Sequence, residues 1–404
     1  MGRNVYNQPM DDFPSSGLSA AELVDRARRL TPALRERARA AEELRRCPDE
    51  TIADFHAAEF LKAVQPARFG GFEMGWDVLC EISMELARGC GGQAWVATVL
   101  IDHKYIVGLF HEQAQRDVWD ADENALITAS IAPVGKADGV DGGYILNGHF
   151  GFSSGAHHAD WVIVGAMADT TGGKQPPVQR YFLVPDSDIN RIDNWRVVGL
   201  AASGSIDFEI HDAFVPAHRV IDIDDAQEGR APGASLHKGA VYRMPQRAIA
   251  CLGLASPSIG IAQWVLDDFI AMTKSRISRG SKVAEWQSMQ LRIAESSAEI
   301  DAARLLVLTT ARRAMATLAA GEVMSIERRA ESRRNACYAA TMARRSVDRL
   351  FDGAGGHGLY LDNDLQRGMR DAKAAVAHLA LGWDMGGTTY GRVALGLDPG
   401  PGSL

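Results

Sequence analysis

The chain has 404 residues, 46% of them hydrophobic and 23% charged, which is the composition of a globular protein with two or three domains and not of a disordered one. Its formal net charge of -8 argues against nucleic acid as a partner, because nucleic-acid binding needs an excess of lysine and arginine on one face. The five cysteines are scattered and form no Cys-x-x-Cys pair, so we expect reduced thiols, with neither a disulfide framework nor a metal site.

The N-terminal residues 1–9 lack the apolar run of a signal peptide. No later segment is expected to be long and apolar enough to cross a bilayer. We therefore expect a cytoplasmic protein with no membrane partner.

Residues 1–124 are predicted to form an N-terminal helical domain. From Ser19 to about Glu123 the apolar residues recur at the spacing of amphipathic helices. The first helix should begin after Ser19, because Ser19 and Glu22 have the spacing of a capping box, in which each side chain binds the backbone of the other.

Residues 125–228 are predicted to form a β-domain, and residues 229–404 a C-terminal four-helix bundle. Long helical segments are expected in four places, with the last one spanning Asp364 to Trp383. The predicted fold class is α+β, mostly α. The expected strands are short β-rich runs broken by turns, near residues 126–131, 144–146, 161–164, 181–184 and 206–210.

A turn that carries two hydroxyls lies between two predicted strands of the β-domain. Phe152-Ser153-Ser154-Gly155 follows one extended segment and precedes the next. A glycine lets the backbone approach a ligand closely, and a serine hydroxyl can donate to a ring nitrogen or accept from one. The turn could thus bind a flat ligand, although a turn of this composition is also common as a simple bend.

Several sequence motifs, in this order, resemble those of the acyl-CoA dehydrogenase superfamily. Together they cover nearly the whole chain, and their order is more specific than any one of them. The motifs are Pro66–Gly71, Phe152–Gly155, Ala213–Val220, Arg276–Gln287, Gly353–Tyr360 and Arg370–Ala372.

The resemblance implies an acyl-CoA dehydrogenase-like fold, but the catalytic glutamate of the dehydrogenases is missing. One family position for this base falls on Gly386, and the alternative position falls on Gln246. Neither residue can take a proton from an acyl thioester. The chain is closer to the flavin-dependent monooxygenase branch, the oxygenase components of two-component aromatic hydroxylases that act on 4-hydroxyphenylacetate or on a secosteroid phenol.

Within that branch, the resemblance implies that His103, Ser154 and His378 are catalytic. Reduced FMN or FAD would react with O2 to form a flavin hydroperoxide, which Ser154 would protect from loss of peroxide. His378 is the candidate base for a phenolic substrate, held by a helix whose face it shares with Asp371, and His103 would orient the peroxide or the substrate oxygen. The sequence leaves open which histidine is the base.

The expected cofactor-binding residues lie in two groups. Ser153, Ser154 and Gly155 would contact the flavin ring, with the partner of each serine left open. Arg276, together with Gly355 and Gly356, would bind flavin phosphates. In the family the second group reaches the flavin of a neighbouring subunit, which implies a homotetramer.

The chain shows no nicotinamide-binding fingerprint, so a separate NAD(P)H-dependent flavin reductase is expected as a partner. The expected substrate is a small phenolic or related aromatic compound. Two alternatives remain open from the sequence. One is an acyl-CoA dehydrogenase or a nitrogen-oxidising relative, and the other is a non-catalytic flavin-binding scaffold.

Overall fold

The computed structural model describes residues 17–278 and 280–400. The predicted N-terminal helices are present, and the capping box at Ser19 is confirmed, with the Ser19 N–H donating to the Glu22 carboxylate at 2.7 Å. The helix that follows the capping box packs against the third helix of this part. The helices are α1 (Ala20–Leu44), α2 (Asp49–Ala57), α3 (Trp76–Ala87), α4 (Gly91–Gly108) and α5 (Glu112–Trp119).

The predicted β-domain is a seven-stranded sheet. All five predicted strands are present and longer than expected, and two short strands, β5 and β7, were not predicted. The strands are β1 (Ile127–Val140), β2 (Gly143–Ser153), β3 (Trp161–Asp169), β4 (Val178–Pro185), β5 (Asn190–Ile192), β6 (Ile206–Pro216) and β7 (Val220–Asp222). Their order across the sheet is β5-β6-β2-β1-β3-β4-β7, and β1 and β3 run parallel.

The C-terminal part is helical as predicted, except that the last predicted helix ends early, at Val376, and a further helix that was not predicted begins at Trp383. The segment from Asp364 to Trp383 breaks after Val376 into a short 3-10 turn before the last helix begins. The break removes His378 from any helix. The helices are α6 (Ile223–Gln227), α7 (Gln246–Ser275), α8 (Gln287–Ala319), α9 (Ile326–Ala354), α10 (Leu365–Val376) and α11 (Trp383–Ala394), and a two-stranded hairpin joins Ile277–Ser278 (β8) to Ser281–Lys282 (β9).

Helix α7 corrects one expectation from the sequence. By length and composition it is apolar enough to cross a membrane, so the statement that no such segment exists is wrong. In the fold, 83% of its most apolar stretch is buried inside the protein, where it packs against α3 and α9. Its apolar surface is thus accounted for by the core of the helical bundle.

Candidate active site

Helix α4 is buried along its whole length, yet one stripe of it keeps contact with solvent. The stripe consists of Trp95, Val99, Asp102 and His103, with exposed fractions of 5%, 6%, 8% and 7%. These positions recur at helical spacing and so share one face. These four side chains keep a small solvent contact, and they are apolar at one position and polar or aromatic at the others.

His103 is held in one tautomer by the first strand of the sheet. Its Nδ1 lies 3.0 Å from the carbonyl oxygen of Ile127, which can only accept, so the ring proton resides on Nδ1. Burial lowers the pKa of His103 to about 4, and the ring is neutral at pH 7. The Nε2 lone pair is left without a proton and can accept one.

Ser154 lies at the centre of a hydroxyl network beside Trp95. Its Oγ accepts from Trp95 Nε1 at 3.1 Å and lies 2.7 Å from Ser205 Oγ, which in turn lies 2.7 Å from Ser203 Oγ. When Ser205 donates, the Ser154 proton is free for a ligand; when Ser154 donates to Ser205, its second lone pair can accept from a ligand N–H. The arrangement supports either polarity expected from the sequence.

The neighbour Ser153 is directed into the protein. It is fully buried, and because the Thr128 hydroxyl donates to the Ser154 carbonyl at 2.7 Å, the Ser153 hydroxyl donates to Thr128 at 2.9 Å. The Ser153 side chain therefore has the geometry of a residue that shapes the turn and not of one that offers its hydroxyl to a ligand. Gly155 has a φ of +75°, where a side chain is strained, and its N–H donates to the Ser203 carbonyl at 2.9 Å.

Phe152 adds an aromatic surface to this turn. It has a φ of +59°, which is rare for a bulky residue, and its side chain is 77% exposed. An exposed ring on a strained backbone, next to the Ser154 hydroxyl and a glycine, fits the flat apolar face and polar edge of a flavin ring.

His378 lies on the other side of Trp95. The two ring centroids are 5.7 Å apart, so Trp95 contacts both His378 and Ser154. The prediction that His378 shares a helix face with Asp371 is wrong, because α10 ends at Val376 and His378 precedes the 3-10 turn. Asp371 is instead buried and accepts the backbone N–H of Leu200 at 2.7 Å.

The tautomer of His378 is opposite to that of His103. Its Nδ1 accepts the backbone N–H of Ala380 at 3.1 Å, so the neutral ring carries its proton on Nε2 and can donate. His378 is exposed at the surface, yet desolvation by nearby protein atoms, aided by the positive charge of Arg333, lowers the pKa of its imidazole to about 4. Both histidines are therefore neutral at pH 7.

The second predicted cofactor group forms at a distance from the first. Arg276 Nη1 donates to the Ala354 carbonyl at 2.9 Å, next to Gly355, which has a φ of +60°, and a Cβ on Gly356 would meet nothing within 4 Å. The start of α4 packs against Ile261 of α7, where a Cβ on Gly91 would lie 2.7 Å from that side chain. Arg276 follows Ile261 by 15 residues, so it lies roughly 22 Å from Ile261 along the axis of α7.

Neither position for a dehydrogenase base holds a carboxylate. A Cβ on Gly386 would lie 2.5 Å from Cys337 Sγ, so α11 packs too closely on α9 for any side chain there. Gln246 is buried, and its Oε1 accepts from the Tyr181 hydroxyl at 3.0 Å. Both positions serve packing or a hydrogen bond in this fold.

Three residues of this region were not singled out from the sequence. Asp102 was overlooked beside His103, although a carboxylate inside an apolar helix is itself a signal. Ser205 carries no local signal, because only the fold brings it to Ser154. Phe152 was noted only as part of the turn, and its positive φ has no counterpart in the sequence.

Comparison with known proteins shows the family to which this chain is similar. The family model for the acyl-CoA dehydrogenase C-terminal domain matches residues 252–383. The chain is 36% identical to the oxygenase component of an FADH2-dependent resorcinol hydroxylase from Rhizobium sp. (strain MTP-10005), over 96% of this chain and 97% of the relative. It is 32% identical to the oxygenase component of p-hydroxyphenylacetate 3-hydroxylase from Acinetobacter baumannii, over 95% and 91% of the two chains.

A solved structure resembles the whole fold. The crystal structure of 3-HSA hydroxylase from Rhodococcus sp. RHA1 superposes with a TM-score of 0.91 and 33% sequence identity, over 95% of this chain and 99% of that chain. The match includes the helical parts and the sheet, so the acyl-CoA dehydrogenase-like fold expected from the sequence is confirmed.

Proposed function

This chain belongs to the flavin-dependent oxygenase components of two-component hydroxylases, within the acyl-CoA dehydrogenase superfamily, and we propose that it hydroxylates a small phenol. It is a flavoprotein monooxygenase that uses O2 and receives reduced flavin from a separate flavin reductase. When bound, reduced flavin supplies the two electrons that activate O2. Overall, one oxygen atom replaces a ring hydrogen with a hydroxyl, and the other leaves as water.

The observation that carries this proposal is a pair of neutral histidines of opposite tautomer, His103 on α4 and His378 beside Trp95 of the same helix. His103 presents a lone pair and His378 presents an N–H donor. A dehydrogenase needs a carboxylate, which positions 386 and 246 do not supply. An acceptor and a donor that both reach the bound ligand would suit a phenol, whose O–H must be lost while an oxygen atom is delivered to the ring.

We assign the role of base to His103 and the role of donor to His378, which reverses the preference drawn from the sequence. A pKa of about 4 makes His103 a weak base toward a resting phenol. As the ring is attacked, however, its O–H becomes strongly acidic, and a weak base in a dry site is then sufficient. His378 Nε2–H would orient the oxygen that is being transferred.

Ser154 would hold the polar edge of the flavin ring, with Phe152 and Gly155 beside it. Reduced FAD is the favoured flavin, because the resorcinol hydroxylase relative is FADH2-dependent. Trp95 and Ser205 fix the position of the Ser154 hydroxyl, so its contact with the ring is formed without reorganisation.

Arg276, Gly355 and Gly356 would bind the phosphates of a flavin held mainly by a neighbouring subunit. Arg276 lies roughly 22 Å along α7 from Ile261, which packs against the start of α4. This distance supports the division, because the Ser154 group and the Arg276 group are too far apart to bind one cofactor within one chain. We propose a homotetramer, which the exposed apolar side chains of the C-terminal helices and of the turns between them support. Examples are Leu291, Leu305, Leu359, Leu361 and Leu379. Analytical ultracentrifugation measures the assembly, and a monomeric flavin-loaded protein would contradict this part of the proposal.

The activity is tested with purified protein, a generic flavin reductase, FAD, NADH and a panel of phenols. We expect catechol-type products that require O2. Reduction of an artificial electron acceptor by an acyl-CoA, or product formation that persists without O2, would contradict the assignment.

The two histidine roles are separated by a substrate that is already ionised. His103→Gln should lower hydroxylation of a neutral phenol by about 100-fold or more, which is the usual contribution of a general base. A fluorinated phenol that is ionised at the assay pH should recover much of this loss in His103→Gln but not in His378→Phe. Equal recovery in both variants would contradict the assignment of His103 as base and His378 as donor.

A further inference from the structure

Asp102 is a buried carboxyl group without a hydrogen-bond partner among the residues that the structure describes. It lies on the solvent-contacting stripe of α4, directly before His103. Within residues 17–278 and 280–400, neither of its oxygens accepts a hydrogen bond, and its Oδ1 is fully buried without a partner. Buried polar atoms are nearly always paired, so this exception needs an explanation.

Two tyrosine hydroxyls in the neighbourhood of Asp102 do not supply the missing partner, because each is already engaged. The Tyr105 hydroxyl donates to the Met244 carbonyl at 3.2 Å, and the Tyr181 hydroxyl donates to Gln246 at 3.0 Å. Burial is the main cause of the raised pKa values of Tyr105 and Tyr181, and the charge of Asp102 raises both further.

Asp102 also lacks a counter-charge. Burial alone raises the pKa of its carboxyl to about 7, with no contribution from a nearby cation or donor. A leucine, whose γ-branched shape resembles that of aspartate, would avoid the cost of burying an unpaired carboxyl. The residue therefore has no evident purpose in the folded chain alone.

We propose that Asp102 is a specificity-determining residue that binds a second hydroxyl group on the aromatic substrate, so that this chain selects dihydroxybenzenes over simple phenols. The inference rests on the proposed function and names the substrate class for the same site. Asp102 and His103 are consecutive on α4, with Cα atoms about 3.8 Å apart. Both side chains keep a small solvent contact, and on this proposal one benzene ring presents one oxygen to each of them.

The test compares two ligands that differ in one hydrogen-bond donor. Resorcinol has two hydroxyls, whereas 3-methoxyphenol keeps one hydroxyl and replaces the other by a methyl ether. Their dissociation constants are measured by calorimetry on the oxygen-free complex with reduced FAD, and their hydroxylation is measured after O2 is added. The proteins are the wild type, Asp102→Leu, Asp102→Asn and the surface control Asp141→Asn.

We expect the wild type and Asp141→Asn to bind resorcinol about tenfold or more tightly than 3-methoxyphenol, as for a hydrogen bond to a carboxyl group. Asp102→Leu should reduce this ratio to near one. Asp102→Asn should also reduce this ratio, because the asparagine amide can donate to the ether oxygen of 3-methoxyphenol. The asparagine variant provides the test if Asp102→Leu does not fold.

Two results would overturn the proposal. One is a wild type that binds both ligands equally or neither of them, and the other is an Asp102 variant that folds and keeps the wild-type ratio. Failure of the proposed function looks different, because resorcinol would then bind selectively but would not be hydroxylated when O2 is added.

Discussion

Lowering the pH from 7 to 5 should destabilise the protein through His103 in particular. Burial holds the pKa of this ring at about 4 in the folded chain, below its ordinary value of 6.5. Between these two values the unfolded chain binds a proton that the folded chain does not. The stability is therefore fully present above about pH 6.5 and falls as the pH falls towards 4.

The magnitude follows from the two pKa values. At pH 5 the ring is almost fully protonated in the unfolded chain but in only about one folded molecule in ten, which amounts to a loss of about 2 kcal/mol relative to pH 7. His103→Gln removes this loss, since glutamine does not titrate, and its amide can still donate to the Ile127 carbonyl.

The assay is urea unfolding of both proteins at pH 7 and pH 5. The free energy of unfolding of the wild type should decrease by about 2 kcal/mol more than that of His103→Gln. His111→Gln, at an exposed position, controls for the removal of a histidine. If the wild type and His103→Gln lose the same free energy, His103 is not a buried neutral ring, and the reasoning about its tautomer and role as a base is refuted.

Three further predictions concern the rest of the site. Gly386→Glu should lower the melting temperature, with overpacking against Cys337 costing about 1–3 kcal/mol, and it should not create acyl-CoA oxidation; turnover of an acyl-CoA would contradict this. Ser154→Ala should leave a buried indole N–H unpaired at a cost of about 1–3 kcal/mol and should release more hydrogen peroxide per product formed, as a peroxidase-coupled assay measures; unchanged coupling would remove Ser154 from the mechanism. Arg276→Ala should weaken binding of reduced FAD to the assembled protein by about tenfold in an anaerobic titration, and an unchanged affinity would contradict a phosphate-binding role.

The sequence was most informative where the signal is local. The capping box at Ser19 and the five main strands could be predicted because hydrogen bonds within a few residues and side-chain alternation determine them. The break of the last predicted helix could not, because apolar spacing continues through residues 377–382 while the backbone turns there. Neither Gly nor Pro marks the start of that break, at Ala377.

The sequence by itself determined the order of helical, β and helical parts, the absence of a glutamate at positions 386 and 246, and the choice of His103, Ser154 and His378 as site residues. Only the tertiary structure decided what each histidine can do. The proton position on an imidazole depends on the partner of its other nitrogen, and for His103 that partner is a carbonyl 24 residues away on β1. A contact between distant elements makes His103 an acceptor, whereas a contact within the turn, with the Ala380 N–H, makes His378 a donor.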